Sequence, residues 1–227
     1  MANNFYNAVR RNISADSTLP TEVYLTPNSL KSIAIELDVS NKSSAGVTVT
    51  VQLEDESLNE TKEQTGTVTA SNNHIIGTVA TTATGLLTTT ASAAHNLIVN
   101  DRVLFNVSSA PSFTDASLPA SAETALSVTR FYYVQSIPST TTFTIAETKS
   151  GTLLTFDGAG SGVEFKKIHL ADLVKDAPIP VGGTLKVISG QKIVMESAVA
   201  GANDKLYAYT SGTSSVDVIA SVLQDVS

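Results

Sequence analysis

The chain has 227 residues, 42% of them hydrophobic and 15% charged, with a net charge of −7 at neutral pH. That is enough length and apolar content to bury one large core or two small ones, and too much for a disordered chain. The 14 basic residues are scattered rather than concentrated as a phosphate binder needs, and the absence of cysteine excludes disulfides, thiolate metal sites and a cysteine nucleophile.

The opening stretch "MANNFYNAVRRN" carries neither an apolar run nor a small-residue cleavage site, so no secretory signal is read there. No apolar run approaches membrane-spanning length. Phe5, Val9 and Ile13 recur every four residues, which predicts a short amphipathic helical arm over residues 1–16. One short helix is not stable alone and must dock on its own domain or on a neighbouring subunit. Phe5, Tyr6, Val9 and Ile13 are therefore the candidate interface residues.

Strand signals follow. "EVYLTP" (22–27) is strand-length; "SIAIELDVS" (32–40) sets Ile33, Ile35, Leu37 and Val39 against Ser32, Glu36 and Asp38; "GVTVTVQLE" (46–54) sets Val47, Val49, Val51 and Leu53 against Thr48, Thr50 and Gln52. A period of two means strands with one face on a core. The intervening "NKSSAG" is turn chemistry and predicts a β-hairpin. Carboxylates crowd "LEDESLNETKE" (53–63), but without the glycine and ligand spacing of a calcium loop the run reads as a solvated linker.

Between about 65 and 162 charges thin out and Thr, Ser, Ala and Gly dominate. Strands are predicted at 84–90, 101–107, 130–137, 141–147 and 152–158, with a turn at Pro138-Ser139 and a long surface loop over 108–127. Tyr132 and Tyr133 alternate faces, so at most one belongs to a core. "AAHNLIVNDRVLF" (93–105) holds His95 and Asp101; with no G-x-S-x-G run and no partner at metal-ligand spacing, they read as polar punctuation around a hairpin. "GAGSGV" (158–163) lies between strands and reads as a flexible seam, not a phosphate cradle.

Strand signals resume at 163–170, 184–189, 192–197, 204–210 and 215–223, separated by "PIPVGG", "GQ", "GAND" and "SGTS"; "LADLVKD" (170–176) has a helical look. The outer segments make about eight strands, the number of a β-sandwich or jelly roll. The expected fold is thus all-β: a sandwich from 17–64 and 163–227, an inserted small β-domain at 65–162, and the arm. Seams are expected near 57–66 and 159–163. No catalytic, metal-ligating or cofactor-binding residue is assigned.

The middle block, in "HNLIVNDRVLF", "FYYVQSIPSTTTFTIAE" and "GTLLTFDGAGSG", resembles small β-modules of tail, fibre and other structural proteins of tailed bacteriophages, with Asn100 where that pattern has Gly. The outer runs, among them "MANNFYNAVRRNIS", "VYLTPNSLKSIAIELDVSNKSSAGVTVTVQL" and "DKLYAYTSGTSSVDVIASVL", resemble a family of virion structural proteins common in cyanophages. The resemblance implies a non-enzymatic virion protein, assembled in the host cytoplasm. It would form a ring or trimer with itself at the neck, tail or fibre, contact other virion proteins, and project the inserted domain toward solvent or a host surface. Neither nucleic acid nor membrane insertion is implied. A capsid decoration protein clamping major capsid subunits is the alternative. A carbohydrate-binding or hydrolytic β-protein is a lesser one, because convergent carboxylates and aromatics are not readable.

Overall fold

Alternating β-branched residues build antiparallel sheets throughout the computed structural model, which describes residues 4–56, 74–79, 85–89, 94–113, 123–157, 160, 163–199, 202–212 and 215–226. The chain divides into two compact units, Met1–Leu58 with His169–Ser227, and Asn59–Ile168.

The first unit is a two-sheet β-sandwich. One sheet runs in the order β1 (Asn4–Arg10), β16 (Val216–Gln224), β3 (Lys31–Asn41), β13 (Ile193–Val199), β14 (Ala202–Asn203), with β12 (Thr184–Ile188) also paired to β3. The other runs β11 (Leu170–Ile179), β4 (Val47–Glu54), β15 (Lys205–Thr210), β2 (Thr21–Leu25). Their inner faces share one core, in which Leu37, Val39, Val49, Val51, Leu206, Val216, Val218 and Val222 are fully buried. At about 1.5–3 kcal/mol for each buried aliphatic side chain, this core is what holds the sheets face to face.

Several expectations are corrected here. The N-terminal stretch is a strand, not a helical arm: Asn4–Arg10 pairs antiparallel with β16 in unbroken register. Residues 170–176 are likewise strand, within β11. β3 and β4 do not form a hairpin, because they lie in opposite sheets. The connection crosses the sandwich and is pinned by buried Asn41, whose amide donates to the carbonyls of Ala45, Ile179 and Pro180 and whose Oδ1 accepts from Ser43. Along β3 the predicted phase holds at Leu37 and Val39 and inverts before them, with Ser32 and Ala34 fully buried instead of Ile33 and Ile35. The cause is a β-bulge: Ala34 faces Val222 and Glu36 faces Ser221, leaving Ile35 as the extra residue.

The second unit is a closed barrel in the order β10 (Val163–Ile168), β5 (His74–Val79), β6 (Leu87–Thr89), β9 (Thr142–Ala146), β8 (Tyr132–Ser139), β7 (Arg102–Asn106), returning to β10. Its interior is aromatic: Phe143 and Phe165 meet at 4.9 Å between ring centroids, and Phe105 and Tyr132 at 5.7 Å. Gly85, at φ 55°, brings its backbone against Leu154, where a Cβ would collide with the carbonyl oxygen.

Val163–Ile168 belongs to this barrel through β5 and β7, which moves the second seam to the Ile168–His169 junction and takes the strand out of the sandwich. Residues 57–66, the expected first seam, lie outside the described residues. The two strands flanking His95 do not pair with each other: β6 pairs with β5 and β9, β7 with β8 and β10. The connection between them is therefore not a hairpin. The described ends of the predicted 108–127 loop are tied together by Phe113 N–H to Thr124 O and Leu126 N–H to Pro111 O, and bury Phe113 and Leu126. Leu153 and Phe156 make isolated bridges rather than a strand.

Candidate interaction surface

Period-two geometry divides β1 into two faces. Ala8 is buried, Tyr6 meets the Tyr24 ring at 6.2 Å, and the Arg10 Nε–H donates to the Glu22 carbonyl at 2.7 Å, so these three point inward. Phe5 and Val9 point out, 79% and 45% exposed. Ladder register carries the apolar character across the sheet: Phe5 lies beside Leu223, Leu223 beside Ile33, and Ile33 beside Val194, which is 56% exposed. Val9 lies beside Ile219, which is also exposed.

A polar row separates these two apolar rows, Asn7 beside Ser221 and Ser221 beside Glu36, and charged pairs lie on it and at the far end of β3. Lys186 Nζ meets Glu36 at 2.6 Å, and that hydrogen bond and charge hold the ammonium above its usual range. Lys31 meets Glu196 at 2.9 Å. Exposed large apolar side chains interleaved with polar ones make a mixed surface of the kind that protein contacts bury. Of the four residues expected there, Phe5 and Val9 lie exposed on this face; Tyr6 is half-exposed but on the opposite face of β1, against Tyr24; Ile13 is fully buried in the sandwich core with its N–H on the Val216 carbonyl. Ile219, Leu223 and Val194 were missed. In "VDVIASVL" the apolar residues fall on both faces, and that signal marks a strand with an apolar outer face.

The barrel explains His95. Its Nδ1 accepts the Leu97 N–H at 3.0 Å, so Nε2 carries the proton and donates to the Ser139 and Thr142 carbonyls at 3.1 and 3.3 Å. The ring is buried edge-on against Phe143 and clasps residues 94–97 to the β8–β9 hairpin, whose turn falls at Thr140-Thr141, after the predicted Pro138-Ser139. A cavity of about 350 Å³ lies beside it, lined by residues 94–97 with Ile137, Ser139 and Thr140. Both imidazole nitrogens are engaged by backbone, so neither is presented to that cavity. Tyr132 and Tyr133 are both buried, contrary to the expectation of one: Tyr132 lies inside the barrel, and Tyr133 lies under the Arg102 guanidinium at 5.3 Å.

The start of the expected solvated linker is also corrected. Glu54 and Glu56 are buried and share Lys205 Nζ, at 3.1 and 3.4 Å. Burial pulls the Lys205 ammonium down, and the two carboxylates outweigh it and hold it above the usual lysine range. Burial, reinforced by Glu54, pushes the Tyr207 phenol up, so its hydroxyl stays protonated and donates to Glu54. Fixed in this way, these groups form a structural ion cluster.

Fold and surface together define a class: an all-β chain of a sandwich and a closed barrel, with one apolar outer sheet face. No protein-family model, curated protein or solved structure matches it.

Proposed function

We propose that the chain is a non-enzymatic structural protein of a tailed-phage particle, assembling at the neck, tail or fibre through the outer face and edge of its N-terminal sheet. The observation that carries this reading is the two apolar pairs on one outer sheet face, Phe5 beside Leu223 and Val9 beside Ile219, with Phe5, Val9 and Ile219 exposed. Burying such a patch on a neighbour is favourable at about 25 cal/mol for each Å² of apolar surface. The virion resemblance of the sequence supports the particle as the setting. The backbone-bound His95 and the Lys205-paired Glu54 and Glu56 fit a scaffold rather than a reaction centre.

Antibody-gold labelling of intact particles tests the assignment. Label at the neck, tail or fibre is expected; label over the head lattice would transfer the chain to capsid decoration. Label confined to the soluble fraction of an infected lysate would overturn the virion role.

A further inference from the structure

We infer that the outer edge of β1 pairs antiparallel with β1 of a second copy across a two-fold axis at Asn7, joining two sheets into one. The inference deepens the assembly reading above by naming the partner of that surface.

Free sheet edges recruit other strands, and proteins blunt them with bulges, proline, charge or shortness. The other edge strands described for this sandwich are blunted, among them β12, which pairs only with β3, has five residues and carries a register shift. β11 has two register shifts and contains Pro178; β14 has two residues and β2 has five. β1 has only one of these devices, a single charge at its last residue, Arg10. It runs seven residues without a bulge, contains no proline or lysine, and among the described residues pairs only with β16.

The side chains of "NFYNAVR" fit a second copy of themselves. With Asn7 on the axis all seven residues pair, Phe5 falls opposite the partner's Val9, and Tyr6 opposite the partner's Ala8. Aromatic–aliphatic pairs of this kind stabilise antiparallel ladders. The two Arg10 side chains lie at opposite ends of the ladder, roughly 20 Å apart at about 3.4 Å per residue, beyond the range of unscreened repulsion. A parallel pairing would set Arg10 against Arg10. The isologous arrangement also closes, so it gives a dimer rather than a fibre. It brings both Phe5–Val9 faces together on one side of the joined sheet, doubling the apolar patch offered to other particle components.

The chain contains no cysteine, which makes the register directly testable. Asn7 is exposed, so substitution there leaves the core untouched. In Asn7→Cys the two thiols face each other across an antiparallel pair with Cα atoms about 4.5–5.5 Å apart, within disulfide reach. Ser221→Cys, on the neighbouring strand opposite Asn7, is the control, since its thiols would stand three strand spacings apart, roughly 14 Å. Asn7→Cys is expected to cross-link rapidly under mild oxidant and Ser221→Cys is not. Wild type is expected to sediment as a dimer at about 100 µM, and Asn7→Lys, with like charges directly opposed, to weaken dimerisation at least about tenfold with an unchanged circular dichroism spectrum. Equal cross-linking rates for the two cysteine variants, a trimer, or a monomer at that concentration would each overturn the pairing. None of those results bears on particle location, which the gold labelling decides separately.

Discussion

Asn100 holds its backbone at φ 73°, where an L side chain other than Asn or Asp is strained. The conformation has a purpose: it aims the Asn100 N–H at the Val134 carbonyl and lets Asp101 accept the Val134 N–H, fastening the turn before β7 to β8. The Asp101 carboxylate accepts the Ile98 N–H inside the same turn and pairs with Lys167 on β10. The Asn100 amide oxygen is buried and makes no hydrogen bond, so the residue is there for its backbone and not for its side chain. Replacing it with glycine is expected to leave urea-unfolding stability within about 0.5 kcal/mol of wild type, the gain in φ freedom offsetting unfolded-chain entropy. Asn100→Val is expected to cost about 1–2 kcal/mol. Equal stability of the two variants would show that the turn is not held left-handed. The sequence marked Asn100-Asp101 as polar punctuation before a strand, which is where a left-handed residue is found. What it could not carry was the role of His95, because its partners are the backbone carbonyls of residues 139 and 142, far along the chain and silent in composition.

At the scale of strands, the errors share one cause: a period read locally is ambiguous wherever a bulge or a short run intervenes. Phe5 and Val9 are four apart, and four is a multiple of two, so they share a face in a strand as they would on a helix. Only the partner strand β16, more than two hundred residues away, decides between them. In β11 the core-packed residues Leu173, Val174 and Ala177 mimic helical spacing because two bulges shift the strand's phase, and Asp176, at φ 49°, sits in the second. By contrast, β4 was legible because it is regular, although only its inner face was. Its outer face is also buried, with Thr50, Gln52 and Glu54 tied to Asp176, Asp172 and Lys205. That ladder makes a prediction about β15. Lys205→Met leaves two buried carboxylates without their cation and is expected to destabilise the protein by about 3 kcal/mol at pH 7. Because the folded pKa of Lys205 is raised, its contribution is complete below the unfolded lysine value of about 10.4 and is lost as pH rises through the folded one. The gap between wild type and variant in urea midpoints should therefore stay constant from pH 7 to about 10 and close above it. A constant gap through pH 12 would mean that packing, not charge, is what the substitution removes.

For the whole molecule, the register at two places explains how one all-β unit can interrupt another. In the sandwich, Glu54 at the end of β4 stands directly opposite Leu170 at the start of β11, so the points where the chain leaves and re-enters are neighbours on one antiparallel ladder. In the barrel, the entry strand β5 and the exit strand β10 are themselves paired, Val163 beside Ile76 and Phe165 beside His74. Each unit thus has its described ends side by side, and in the chain the guest is inserted where a hairpin turn would otherwise join β4 to β11. Each also has its own core, Val and Leu in the sandwich and Phe in the barrel. Composition showed the change in texture, but the exact junction was invisible because Val163–Ile168 alternates like any sandwich strand and only its pairing with β7 assigns it. It follows that replacing residues 55–169 with an Asn-Gly turn should restore a β4–β11 hairpin and leave a folded sandwich, since a two-residue turn of this type joins antiparallel neighbours. The expected readout is a cooperative urea transition and a dispersed amide spectrum, with stability lowered because Glu56 is lost from Lys205. If the β1 edge assembles the chain as inferred, the excised protein should also keep the Asn7→Cys cross-link, because every strand of that sheet remains. A shortened chain that is unfolded would show that the sandwich depends on its guest, and that the paired ends are a consequence of the insertion rather than what permits it.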